Sequence, residues 1–170
     1  MKISTKLNLG FAFVILLLAM ISIGSIIRLG DLSQQTKYIA ANIWPEVLLA
    51  QRGLVGVNEV AMGARDMALA SDEAGRQEGK QRLLDGRADI GKAWEALGPQ
   101  LVQPDAKALF ESILDSRKQY IVQQNRLIEL VESGQHDAAV AQLKGDFRAV
   151  ATEYRKRVNA LIEYQGRVMT

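Results

Sequence analysis

The stretch PDAKALFESILDSRKQYIVQQNRLIELV, residues 104–131, marks one face of a helix at every turn. Phe110, Ile113, Arg117, Tyr120, Gln124, Leu127 and Val131 recur three and four residues apart. That is the period of an amphipathic α-helix, not the alternation of a strand. Pro104 opens it at a position that needs no backbone N–H, and Asp105 places an acid in the first turn, where the helix dipole favours negative charge. Ser133-Gly134 closes it.

The same spacing recurs on either side. Upstream, Leu83, Arg87, Ile90, Trp94 and Leu97 form a stripe that stops at Gly98-Pro99. Before it, Ser71-Asp72-Glu73-Ala74-Gly75 reads as a turn, with Ser or Asp available as an N-cap. An earlier helix runs to about Leu69 with Leu48, Val55, Asn58, Met62, Arg65 and Leu69 as its expected inward stripe. Downstream, a fourth helix runs from about His136 to the C-terminus through Val140, Leu143, Phe147, Val150, Tyr154, Leu161 and Val168. Only Pro45, Pro99 and Pro104 interrupt, and Pro45 beside Trp44 is expected to kink or break the first rod. Alternating spacings of three and four imply shallow crossing angles. The expected fold is therefore all-α: an N-terminal transmembrane helix continuing into an antiparallel up-down-up-down four-helix bundle.

The membrane part of that expectation rests on Leu7 through Ile27, 21 positions without a charge, flanked by Lys2 and Lys6 before and Arg28 after. Such a run covers roughly 30 Å as a helix, the thickness of a bilayer's hydrocarbon core. A cleaved signal has a shorter apolar core of about 7–15 residues and a small-residue cleavage site, which Ser22-Ile23-Gly24-Ser25 does not provide. The lysines before the span favour a cytoplasmic N-terminus at 1–6, a span at 7–27 and residues 28–170 outside the cytoplasm, in the periplasm of a Gram-negative cell. The first rod from Arg28 measures roughly 65 Å and the fourth about 52 Å. That mismatch leads to the expectation of a fragment, with a second span beyond Thr170.

Composition narrows the function. Net charge is +2 with the signs interspersed, so no basic face argues for nucleic acid. One histidine, His136, and no cysteine leave almost no transition-metal ligands, and no metal or cofactor is expected. The nucleophile elbow, the phosphate loop and the C-x-x-C pair are missing, so the chain carries no signature of an enzyme. His136 is expected exposed, the Arg155-Lys156-Arg157 cluster is expected on a solvated face, and Trp44 and Trp94 are expected as core or interface fillers.

Polar residues on the apolar stripes are the informative exceptions. Asn58, Arg65, Arg87, Arg117 and Gln124, with the amphipathic Tyr120, gather within about 12–24 Å of the end far from the membrane. A buried guanidinium without a partner costs several kcal/mol, so something negative should meet these arginines. The partners are either internal, with Asp66, Asp85, Asp89, Glu111 and Asp115 within reach, or external. In the second case converging planar forks select a small organic acid. Arg65 and Arg117 sit squarely on their stripes, Tyr120 adds a hydroxyl or an aromatic wall, and Thr152 adds a further hydroxyl from the last helix.

The opening MKISTKLNLGFAFVILLLAMISIGSI resembles the first span of bacterial methyl-accepting chemotaxis proteins. NIWPEV, VNEVAMGARDMALASDE and LIELVESGQHDAAVAQLKGDFRAVATEY resemble the helices of their periplasmic sensor module. The resemblance implies an inner-membrane homodimer whose first helices meet along the long axis. It also implies a small-ligand site near the distal part of that interface and cytoplasmic signalling partners. Arg65, in GARDMALASD, stands where a ligand-binding arginine belongs, whereas Gly56 and Ala61 replace others found in amino-acid-sensing relatives. Arg117-Lys118-Gln119-Tyr120 fits the R-x-x-Y of relatives that sense organic or aromatic acids. Two other readings stay open: a ligandless bundle that recognises another protein or membrane state, and the same module on a histidine kinase or cyclase.

Overall fold

The computed structural model describes residues 13, 16–18, 20–22, 37 and 39–168. The chain divides into two units, residues 1–41 and 42–170. In the first, the described residues of the apolar run are helical and exposed, among them Phe13, Leu17 and Ile21. Most of the expected span at 7–27 lies outside the described residues. Among those described, no helix is long and apolar enough to cross a membrane.

The second unit is built from four rods, and no strand occurs among the described residues. A π-helical turn, Ile39–Ile43, leads into α1 (Trp44–Leu69), followed by α2 (Glu73–Leu97), a 3₁₀ turn Gly98–Gln100, and α3 (Pro104–Glu132). The fourth rod is α4 (His136–Gln142), a π turn Leu143–Phe147, and α5 (Arg148–Val168). Pro45 falls in the first turn of α1, directly after the π turn that leads into it. Asp72 caps α2 by accepting from the Gly75 N–H at 2.8 Å. Gly134, at φ 71°, turns the chain after α3. The fourth rod is not continuous: Gly145, at φ −96° and ψ −108°, departs from helical geometry inside the π turn.

Successive rods run antiparallel, and cross-contacts fix their order. Gly63 meets Gly79, and Gly53 meets Trp94, between α1 and α2. Arg87 bonds Gln124 between α2 and α3, Tyr120 packs on Phe147 and Tyr154 between α3 and the fourth rod, and Gln165 bonds Glu46 to close the ring. The α1–α2 pair is held backbone to backbone by glycine, whereas α2 and α3 are joined through long side chains, including Lys80–Glu132 and Trp94–Phe110.

Most expected stripes are inward. Leu83, Ile90, Trp94 and Leu97 on α2 are buried, as are Phe110, Ile113, Tyr120, Gln124, Leu127 and Val131 on α3, and Phe147, Tyr154 and Leu161 on the fourth rod. The stripe of α1 is a correction. Leu48, Val55, Met62 and Leu69 are exposed, and so are Asn58 and Arg65 between them. The buried face is instead Val47, Ala50, Gly53, Val57, Val60, Ala64 and Met67. Glycine interrupts that face at 53, 56 and 63, where the α2 side chains and backbone come too close for a Cβ. Trp44, expected to fill a core or interface, is exposed, while Trp94 is a core residue whose Nε1–H donates to the Tyr154 hydroxyl at 2.7 Å.

Candidate functional site

A groove of about 680 Å³ runs between the last turns of α1 and the start of α5. Ala61, Leu69, Leu143, Phe147 and Ala151 give it an apolar floor, and Arg65, Lys144, Arg148 and Arg155 bring four cations to it. No carboxylate lines it. The placement follows from helix geometry. Lys144 and Arg148 are four residues apart across the π turn, and Arg155 is two turns further along the same face. Arg65 reaches the groove from α1, one turn before Leu69. Thr152 sits among them and donates its Oγ1–H to the Arg148 carbonyl at 2.8 Å, leaving its oxygen lone pairs outward to accept.

Several other cations on the bundle have acids. Arg82 bridges Glu59 at 2.7 Å and Asp66 at 3.1 Å, Lys92 pairs with Asp89, Lys118 with Asp115, and Arg157 with Glu153. Asp85 accepts from Gln81. Four of the five acids that sequence reasoning offered to the arginines are therefore engaged elsewhere. Among the described residues, Arg65, Lys144, Arg148 and Arg155 form no ion pair.

The remaining expected site residues fall in a second place, inside the bundle at mid-height. Arg87 is half-buried and donates from Nε to Gln124 Oε1 at 2.7 Å and from Nη2 to Asn125 Oδ1 at 2.9 Å. Neither partner is charged. Burial, and then the nearby positive Arg117, hold the Arg87 guanidinium below its usual range. Arg117 is half-buried too, reaching across to α2 with its Nη2 beside Gly91. Tyr120 is fully buried and points its hydroxyl at the Val57 carbonyl, 3.5 Å away, a marginal bond. Burial pushes its phenol well up, and pushes that of Tyr154 up to about 12. The two rings stack at 5.1 Å, with Phe147 5.7 Å from Tyr120, so an aromatic column links this interior to the floor of the basic groove.

The six candidate residues thus divide. Arg65 and Thr152 share the outer groove, Arg117, Tyr120 and Gln124 share the interior, and Asn58 lies exposed on the outer stripe of α1. Sequence reasoning missed Lys144, Arg148 and the part Arg155 plays; the signal was a basic i, i+4, i+11 row beginning at the Gly145 break.

A family described as a four helix bundle sensory module for signal transduction matches residues 1–168. The chain belongs to that family. No curated protein matches it. The sensory module's two positively charged places both lie on the rods whose relative positions define the bundle, so any anion held there is held by more than one rod.

Proposed function

We propose that this sensory module is the periplasmic part of a bacterial chemoreceptor that binds a small organic acid in the α1–α5 groove. Residues 7–27 anchor it in the inner membrane, and signalling follows from a change in the relative position of the first and last rods. The observation that carries the reading is the groove itself: four cations from two rods around an apolar floor, without a carboxylate among its lining. Paired carboxylates on a short carbon skeleton match such a site, because guanidinium forks bind each carboxylate through two parallel bonds and the skeleton covers the floor.

The outer stripe of α1 supports a homodimer. Leu48, Val55, Met62 and Leu69 are seven residues apart and exposed, an apolar row along one side of α1 that a second copy can cover. Arg65 sits between Met62 and Leu69, so the groove borders that seam and a second copy can complete it. A ligand touching α1 and α5 favours one of their relative positions only by binding it better than the other. Helix shifts of roughly 1–2 Å are the scale such interfaces use.

A second reading places the acid between Arg87 and Arg117, favoured by their mutual repulsion without a carboxylate. One experiment separates the two. The intact chain is titrated calorimetrically with citrate, malate and succinate, alongside Arg65→Ala and Arg117→Ala. Lost affinity in Arg65→Ala with Arg117→Ala unchanged supports the groove, the reverse supports the interior, and no heat with any acid removes both. A thermal shift reports the same event, since ligand at 100 times its Kd adds about 2.7 kcal/mol.

A further inference from the structure

At the opposite end of α1 from the basic groove, Glu46 is buried, and so is Gln165 on α5, 119 residues away in sequence. The Gln165 Nε2–H donates to Glu46 Oε2. Gln165 Oε1 is also buried and receives no hydrogen bond from a described residue. We infer that protonated Glu46 donates its O–H to that oxygen, closing a two-bond ring that acts as a proton-operated clasp between the first and last rods.

The argument is one of satisfaction. A primary amide offers an N–H and a C=O on the same side, and a carboxylic acid offers the complementary C=O and O–H. An ionised carboxylate can accept from Nε2 but has nothing to give Oε1, and a buried acceptor without a donor is costly. An ionised Glu46 would also be a buried charge with no ion pair among the described residues, the costlier of the two defects. Protonation removes both at once. Among the described residues Glu46 forms no ion pair. The charged and titratable side chains on the neighbouring ends of the packed elements are Arg52 on α1, Lys92 and Glu95 on α2, Asp105, Lys107 and Glu111 on α3, and Glu163, Tyr164 and Arg167 on α5. The influences acting on the carboxyl are burial, which raises its pKa, and the Gln165 bond, which lowers it by less.

The consequence goes beyond ligand binding. The clasp joins the same two rods whose relative position is proposed to carry the signal, so the proton acts as a second ligand at the far end of the module. Because the folded-state pKa lies above the ordinary value of 4.5, the stabilisation is complete at acid pH and declines as pH rises through the folded value. Loss of the proton puts an unpaired charge between α1 and α5 and favours their separation.

The test uses the intact chain in lipid nanodiscs, labelled with ¹³C at the glutamate carboxyls and titrated from acid to neutral pH. The expected result is one glutamate signal with its midpoint above the ordinary carboxylate range, and its disappearance in Glu46→Gln. That variant keeps both hydrogen bonds, since its amide donates to Gln165 Oε1 and accepts from Nε2. It is therefore expected to fold and to lose the decline in Tm that the wild type shows over the same pH interval. Titration of every glutamate in the ordinary range, parallel Tm–pH curves for the two proteins, or a Glu46→Gln chain that does not fold would each overturn the inference.

Discussion

Gly63 on α1 and Gly79 on α2 face each other so closely that a Cβ on Gly79 would stand 2.9 Å from the Gly63 carbonyl oxygen and 2.3 Å from the Met67 nitrogen. The atoms in the way are backbone, which cannot swing aside. Gly79→Ala is therefore expected to force the two rods apart, with an overpacking cost of about 1–3 kcal/mol. Gly166→Ala is the control, because nothing lies within 4 Å of its Cβ. In helix α5 the change is expected to stabilise by roughly 0.5–1 kcal/mol through helix propensity. Urea unfolding of both variants checks the sign, and similar midpoints would mean that the seam is looser than described.

The basic groove makes an electrostatic prediction that does not require the ligand's name. Arg148→Ala is expected to weaken binding of a dicarboxylate about tenfold or more, since a charge-assisted hydrogen bond is worth roughly 1.5–3 kcal/mol. Arg76→Ala, which removes a cation already paired with Glu73 on an exposed turn, is expected to change the affinity little. The same titration at rising salt should weaken steadily for the wild type. Equal losses in both variants would point to net charge rather than to a site.

The bundle was legible in the sequence because three of its four rods bury their large apolar residues, so size and spacing point the same way. On α1 they diverge. Its exposed large residues at 48, 55, 62 and 69 are seven apart, while the core side mixes Val57, Val60 and Met67 with Gly53, Gly56 and Gly63, the positions where α2 comes too close for a side chain. A period announces a helix and one sticky face; it does not say whether that face meets the same chain or another. The same limit hid the groove. Arg155 reads as part of a solvated cluster until the π turn at Gly145 sets Lys144 and Arg148 beside it. Arg65, by contrast, is singled out on a stripe expected to be inward; that stripe is exposed, and Arg65 lines the groove from the outer side of α1.

That outward heptad predicts the oligomeric state. Val55→Glu places a charge in the middle of the exposed row and is expected to shift the proposed homodimer to monomer in sedimentation velocity, with urea stability of the monomer nearly unchanged. Val57→Glu, two residues on, buries its charge in the core and is expected to unfold the bundle, since an unpaired buried charge costs several kcal/mol. Dimers that persist in Val55→Glu would move the interface elsewhere.

The aromatic column sets the alkaline limit of the fold. Tyr120 and Tyr154 both have phenols raised above the ordinary 10.0, each chiefly by burial, with Tyr154 pushed up to about 12. An unfolded tyrosine ionises near 10 while these stay neutral, so stability is intact below pH 10 and falls as pH climbs from there through the folded-state values. The part of the phenolate absorbance that Tyr120 and Tyr154 contribute should therefore rise late and together with loss of helix, not before it. Tyr120→Phe is expected to shift the alkaline unfolding midpoint upward, because it removes one ionisable group whose hydrogen bond, among the described residues, is the 3.5 Å contact to Val57. Tyr154→Phe is expected to gain less, since it leaves the buried Trp94 N–H without its acceptor at a cost of about 1–3 kcal/mol. Circular dichroism against pH distinguishes the two, and an unchanged midpoint in Tyr120→Phe would assign the alkaline limit to other groups.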